Sequence, residues 1–97
     1  MELSTTIQKK RLKSLAHSLK PVVMIGQQGL KDSIQAEIET ALSFHQLIKL
    51  KINVGDRDLR DEMIANIQAM TAAELILKIG NIAVLYKRNK KKPSVLS

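Results

Sequence analysis

Pro21-Val22-Val23-Met24-Ile25-Gly26-Gln27-Gln28-Gly29-Leu30-Lys31 is the stretch that decides the fold. Pro21 biases the residue before it away from helix, and the four apolar residues that follow, two of them valine, suit a short buried strand over residues 22–25. Gly26 and Gly29 break that strand, and beyond them Ile34, Ile38, Ala41 and Leu42 recur at helical spacing, with Asp32, Glu37 and Glu39 on the other faces. A strand that passes through a glycine-flanked turn into a helix start brings free backbone N–H groups and the positive end of a helix dipole to one point. Phosphate suits that geometry, although a plain tight turn uses the same residues.

On the N-terminal side, Leu12, Leu15, Ala16 and Leu19 form an apolar stripe within residues 4–19, which predicts a first helix capped by Ser4, Thr5 or Thr6. Lys9, Lys10, Lys13 and His17 fall on another side, and Lys20 extends their row toward Pro21. At about 100° per residue these five positions span an arc of about 100°. On the C-terminal side, residues 47–54 alternate apolar with polar after Leu47, as a strand with one wet face does. Gly55-Asp56 supplies a turn and a cap. Leu59, Met63, Ile64, Ile67 and Met70 make a third helical stripe, with Asp56, Asp58 and Asp61 near its positive end. Strands over 74–79 and 82–87 flank Gly80-Asn81, a two-residue hairpin loop.

The order α-β-α-β-α-β-β predicts an α/β domain whose helices pack on a four-stranded mixed sheet, in two or three layers. One domain covers residues 1–88. Residues 89–97, with Lys90, Lys91 and Lys92, have no periodicity and read as a mobile basic tail.

With 97 residues, 44% of them hydrophobic, the chain suits one modest core. A domain of this size hides only about 60 to 65% of its unfolded surface, leaving little room for an enclosed active site. Its charge of +7 is uneven: residues 1–24 carry five basic and one acidic side chain, residues 25–60 five of each, and residues 61–97 six basic against three acidic. If the basic ends meet in space they make one surface for a polyanion; a merely soluble surface is the plainer alternative. There is no cysteine, which excludes disulfides and thiolate chemistry. The apolar runs fall far short of the roughly 18 residues of a membrane span, and no signal peptide is read, so the expected location is the cytoplasm.

Little in the chain points to catalysis. His17 and His45 lie near the ends of different helices with no carboxylate at ligand spacing, and read as structural, with a phosphate contact the lesser alternative for His17. Asp56, Asp58, Asp61 and Glu62 suit the start of the third helix better than an acid/base pair. No nucleotide-binding glycine motif is present. The expectation is a non-enzymatic monomer with no cofactor, metal or small-molecule substrate. Phe44 and Tyr86 are the only aromatic residues, too few for base stacking to dominate, which favours recognition of a structured RNA by backbone and shape.

Taken together, residues 15–30 (Leu-Ala-His-Ser-Leu-Lys-Pro-Val-Val-Met-Ile-Gly-Gln-Gln-Gly-Leu), Glu37-Ile38-Glu39, Leu47-Ile48-Lys49-Leu50-Lys51 and Gly80-Asn81-Ile82-Ala83-Val84-Leu85-Tyr86 closely resemble the YhbY family of CRM domains, the chloroplast RNA-splicing and ribosome-maturation module. The likeness runs to Arg88. It implies a fold like the C-terminal domain of translation initiation factor three, with the Gly-x-x-Gly turn likened to that of KH domains. It also implies association with ribosomal RNA in precursors of the large subunit. By position, Gly26, Gln27, Gln28, Gly29 and Leu30 become the RNA-contacting loop, with Lys31, Lys9, Lys10, Lys13, Lys20, Lys87 and Arg88 as flanking cations. Two positions depart from the family pattern. Lys31 replaces a Ser or Thr cap, and Lys87 stands where Arg follows the tyrosine, which moves Arg88 one place on. The reading from a different class is an adaptor whose basic helix meets an acidic protein surface.

Overall fold

The computed structural model describes residues 5–96, and its elements follow the order α1 (Thr6–Ala16), β1 (Val23–Ile25), α2 (Asp32–His45), β2 (Leu47–Ile52), α3 (Arg57–Thr71), β3 (Glu74–Ile79) and β4 (Ile82–Tyr86). The four strands form one mixed sheet in the order β1-β2-β4-β3. β1 runs parallel to β2, and β2–β4 and β3–β4 are antiparallel. The α/β class and the four-stranded mixed sheet are as the sequence predicts.

Alternation along the strands divides the apolar side chains between two cores. Val23, Ile25, Ile48, Leu50, Ile52, Ala83 and Leu85 point to one face, where Ile38 and Leu42 of α2 and Met63, Ile64 and Ile67 of α3 cover them. Leu47, Val84 and Tyr86 point to the other, under Leu12 and Ala16 of α1. A bulge between Leu75 and Leu77 puts both Ile76 and Leu77 on the α1 side. The molecule is thus three layers, with α1 alone on its face. Asp56 caps α3 by accepting from the N–H groups of Asp58 and Leu59 at 2.8 and 3.2 Å. Gly80, at φ +55°, closes the β3–β4 hairpin.

One boundary differs from expectation. Thr5 and Gln8 form a reciprocal capping box at the start of α1, while Ser4 lies outside the described residues. The helix ends at Ala16 with His17 as its cap, four residues ahead of the proline. Leu19 folds in against the α1-side core after a turn closed by its N–H on the Ala16 carbonyl, 3.1 Å away, so Lys20 does not continue the lysine row. Leu15 is 37% exposed and lies outside the buried stripe.

At the end of the chain, residues 89–96 lie against the start of β2. Gln46, buried and at φ +64°, is the hub: its backbone carbonyl accepts from Lys87 N–H and its side-chain amide donates to the Pro93 carbonyl. Its Oε1 accepts from the Arg88 guanidinium at 2.9 Å and from Asn89 N–H at 3.2 Å. Asn89 donates to the Ser43 carbonyl, Lys92 lies 3.9 Å over the Phe44 ring, and Val95 and Leu96 pack on the α1-side core.

Candidate nucleic-acid interface

Residues 26–29 leave the C-terminal end of β1 as an exposed turn held at both ends. The Gly29 N–H donates to the Gly26 carbonyl and the Lys31 N–H to the Gly29 carbonyl, each at 3.1 Å. Gln35 Nε2 donates to the Leu30 carbonyl at 2.9 Å, and Asn53 N–H donates to the Ile25 carbonyl at 2.7 Å. The expectation that every N–H from Gln27 to Leu30 faces a ligand therefore needs correcting. Gly29's donor closes the turn, and those of Gln27, Gln28 and Leu30 have no partner among the described residues.

Gly29 adopts φ +80°, a conformation that excludes most side chains, whereas Gly26 has no positive φ and nothing within 4 Å of where a Cβ would stand. The fold demands glycine at the second position only. Directly beyond, α2 begins with Lys31 at its N-cap and no side-chain hydrogen bond to the first turn, as the departure at Lys31 implied. Its leading N–H groups are left to solvent or to an anion. Lys31 and Asp32 offset each other there, so the positive character of this helix start is that of the dipole.

Charge is divided between the two faces of the sheet. Lys9, Lys10, Arg11 and Lys13 give α1 four cations and no acid. Lys49 and Lys51 of β2 alternate with Leu47 and lie opposite Val84 and Ile82, which puts both on the α1 face. Among the described residues the acid on this face is Glu74, whose carboxylate lies 3.5 Å from Lys9 Nζ. The opposite layer holds Asp32, Glu37 and Glu39 on α2 and Asp56, Asp58, Asp61 and Glu62 at or near the start of α3, against Arg57 and Arg60 on α3 and Lys78 on β3.

These placements sort the expected site residues. Lys10 and Lys13 stand exposed on α1, and Lys9 is partly neutralised by Glu74. Lys51 lies opposite Met24, two residues before the turn. Lys87 and Arg88 do not join this group. They follow Tyr86, which pairs with Leu47 and Glu74 at the far end of the sheet, about 14 Å along β4 from Ile82 and the turn's end. The Arg88 guanidinium is engaged with Gln46 and with the carbonyls of Asn89 and Lys92, a structural clamp rather than a cation flanking the turn. A first helix and a final strand converging on the turn is thus not what the chain builds; the last strand's place is taken by Lys49 and Lys51. These two and Arg11 are cations that sequence reasoning left out. The alternation of residues 47–54 marked a wet side but not which face α1 would share with it.

The acidic cluster does not resemble an acid/base site. Lys78 Nζ donates to Asp61 Oδ1 at 2.7 Å, and that hydrogen bond holds the Asp61 carboxyl below its ordinary range. Asp56 is occupied as the helix cap. His17 and His45 are both exposed at helix ends, and His45 meets Phe44 edge-on at 4.8 Å.

A three-layer α/β domain with one cationic face and an exposed Gly-x-x-Gly turn at its border is the class of protein that fold and site define. The chain belongs to the CRS1 / YhbY (CRM) domain family, whose model matches residues 5–87. It is 46% identical over 87 residues to an RNA-binding protein of Haemophilus influenzae, covering 90% of this chain and 88% of that protein. It is 39% identical over 93 residues to the Probable RNA-binding protein PA4753 of Pseudomonas aeruginosa, covering 96% and 89%. The solution structure of the hypothetical protein SAV1595 from Staphylococcus aureus superposes with a TM-score of 0.78 at 31% identity, covering 91% of this chain and 92% of that one.

Proposed function

We infer that this protein binds RNA through the α1 face and the turn at residues 26–29, and that its target is ribosomal RNA in the precursor of the large ribosomal subunit. The observation that carries the reading is the segregation of charge. On one side of the sheet the six cations of α1 and β2 face a single acid among the described residues, Glu74; on the other, seven carboxylates outnumber Arg57, Arg60 and Lys78. A polyanion has one favourable approach to such a molecule, and the gain on contact is release of counterions from its phosphates. The names of the relatives from Haemophilus influenzae and Pseudomonas aeruginosa support RNA as that polyanion. The family likeness points to the large-subunit precursor.

In this reading Lys10, Lys13, Lys49 and Lys51 supply the charge, with Lys9, Lys20 and Lys31 at its margins. The free N–H groups of Gln27, Gln28 and Leu30 and of the first turn of α2 donate to a phosphate, and Gly26 lets the ribose-phosphate chain approach the backbone. Lys87 lies outside this contact, at the far end of the sheet. The partner is bound and not chemically altered. An acidic protein partner would use the same lysines but would have no need of the turn.

Sedimentation of cell extract on a sucrose gradient tests the target. The protein is expected in fractions of the precursor large subunit, and to leave them when the extract is treated with ribonuclease or raised in salt. Its presence only at the top of the gradient at low salt would contradict the ribosomal assignment.

A further inference from the structure

α1 covers only part of its face of the sheet. Its buried residues meet Leu47, Ile76, Val84 and Tyr86, toward the end of the sheet away from the turn. The end beside the turn is left open by the described residues, and the register places Met24, Lys51, Ile82 and Ile79 in one row across all four strands. Met24 is 63% exposed and Ile79 64%, and Val22, at 43%, lies beside Lys49 in the next row. Large apolar side chains this exposed on a sheet that otherwise buries its hydrophobics are not a solvated surface by default. Three strand spacings of about 4.8 Å make the row about 14 Å wide, room for two nucleobases side by side. The row ends at Met24, two residues ahead of Gly26.

We propose that this open strip, Val22, Met24, Ile82 and Ile79 with Lys49 and Lys51 set among them, is a shelf for unpaired nucleobases of an RNA strand whose phosphates lie on the turn and on the lysines. The proposal rests on the reading of the α1 face as the RNA interface and adds what the strip selects: single-stranded segments, through their bases. The occupant is set by the composition of the strip. A nucleotide presents an apolar face and an anion a few ångströms apart, and here apolar side chains alternate with ammonium groups, with no acidic residue on β1, β2 or β4. A base laid on Met24 removes apolar surface from water without an aromatic partner, a polarizable thioether being suited to that contact. A protein surface covering the strip would have to be acidic as well as apolar. A second copy of this chain would bring Lys51 against Lys51 if it docked by the same strip.

The test compares an oligouridylate with an abasic oligomer of the same length and phosphate number. Fluorescence anisotropy is measured for the intact protein, for Met24→Ser with Ile79→Ser, and for Lys51→Glu. The intact protein is expected to hold the oligouridylate about tenfold more tightly than the abasic strand. The serine pair should bind both strands alike, at the abasic level and with an unchanged salt slope. Lys51→Glu should weaken both strands and lower the slope. Met24 and Ile79 are exposed, so the serine pair is expected to keep the circular dichroism and melting of the parent; Met24→Leu with intact Ile79 serves as a second variant and should retain base discrimination. Equal binding of the two strands by the intact protein overturns the shelf while leaving the RNA interface standing. Absence of binding to either strand, or to duplex RNA, overturns both. A concentration-dependent dimer that the serine substitutions dissolve, together with equal binding of the two strands, would assign the strip to a second copy instead.

Discussion

Reversing Lys10, Lys13 and Lys51 to glutamate together is expected to lower affinity for RNA by about two orders of magnitude near 0.1 M salt and to flatten its salt dependence. Each phosphate contact contributes about 0.7 to 0.9 to the slope of log affinity against log salt, so loss of three should lower that slope by roughly 2 to 3. The loss should be the same for RNAs of different sequence, because these side chains read phosphates. All three project from the α1 face, Lys10 and Lys13 exposed on the helix and Lys51 half-buried in the strip, and none has an ion-pair partner among the described residues. The fold should therefore survive. Lys9 is unsuited to the same test, since a glutamate there would face Glu74, from which Lys9 Nζ is now 3.5 Å away. Anisotropy titrations at several salt concentrations read the result. An unchanged slope would place the polyanion elsewhere.

The two glycines of the turn should respond to valine in opposite ways. At Gly29, φ +80° is costly for any β-branched residue, and its Cβ would already lie 3.6 Å from Met63 Cε, so Gly29→Val should destabilise the protein by about 2 kcal/mol. At Gly26 neither constraint exists, and Gly26→Val should change stability by less than about 0.5 kcal/mol. Yet in the proposed reading a side chain at Gly26 stands in the path of the ribose-phosphate chain, and RNA affinity is expected to fall about tenfold, roughly 1.4 kcal/mol. Urea denaturation alongside RNA titration separates the two effects. A Gly26 variant that binds normally would remove the turn from the interface.

The elements themselves were legible because each carries its own local signal. The stripes of the three helices, the alternation of 47–54, the Asp56 cap and the Gly80-Asn81 hairpin are decided within a few residues. The exposed turn and its weak cap at Lys31 were legible for the same reason. What was not legible depends on contacts distant in sequence. Arg88 has the composition of a phosphate ligand, and only the fold brings it to Gln46, 42 residues earlier, as an internal clamp. Residues 89–96 have no periodicity because they follow no regular element; their contacts include hydrogen bonds to Gln46, Ser43 and Phe44, all distant in sequence. Lys49 and Lys51 were visible as polar positions of a strand, but their meaning depends on α1 packing over that side and stopping short of it. A one-dimensional pattern records that a face is wet. It does not record which helix lies beside it.

The division of charge also bears on how this domain docks. In the proposed reading, the seven carboxylates behind the sheet, which outnumber Arg57, Arg60 and Lys78 there, disfavour an RNA that wraps beyond the α1 face, so contact is expected on the α1 side.

The most direct test of that confinement is to titrate RNA into isotopically labelled protein and follow backbone amide resonances. The shifts are expected to cluster on α1, on residues 22–31 and on Lys49 and Lys51, with Glu37, Asp58 and Glu62 unmoved. Shifts centred on the outer faces of α2 and α3, or on Lys87 and Lys90 at the far end of the sheet with the turn silent, would contradict it.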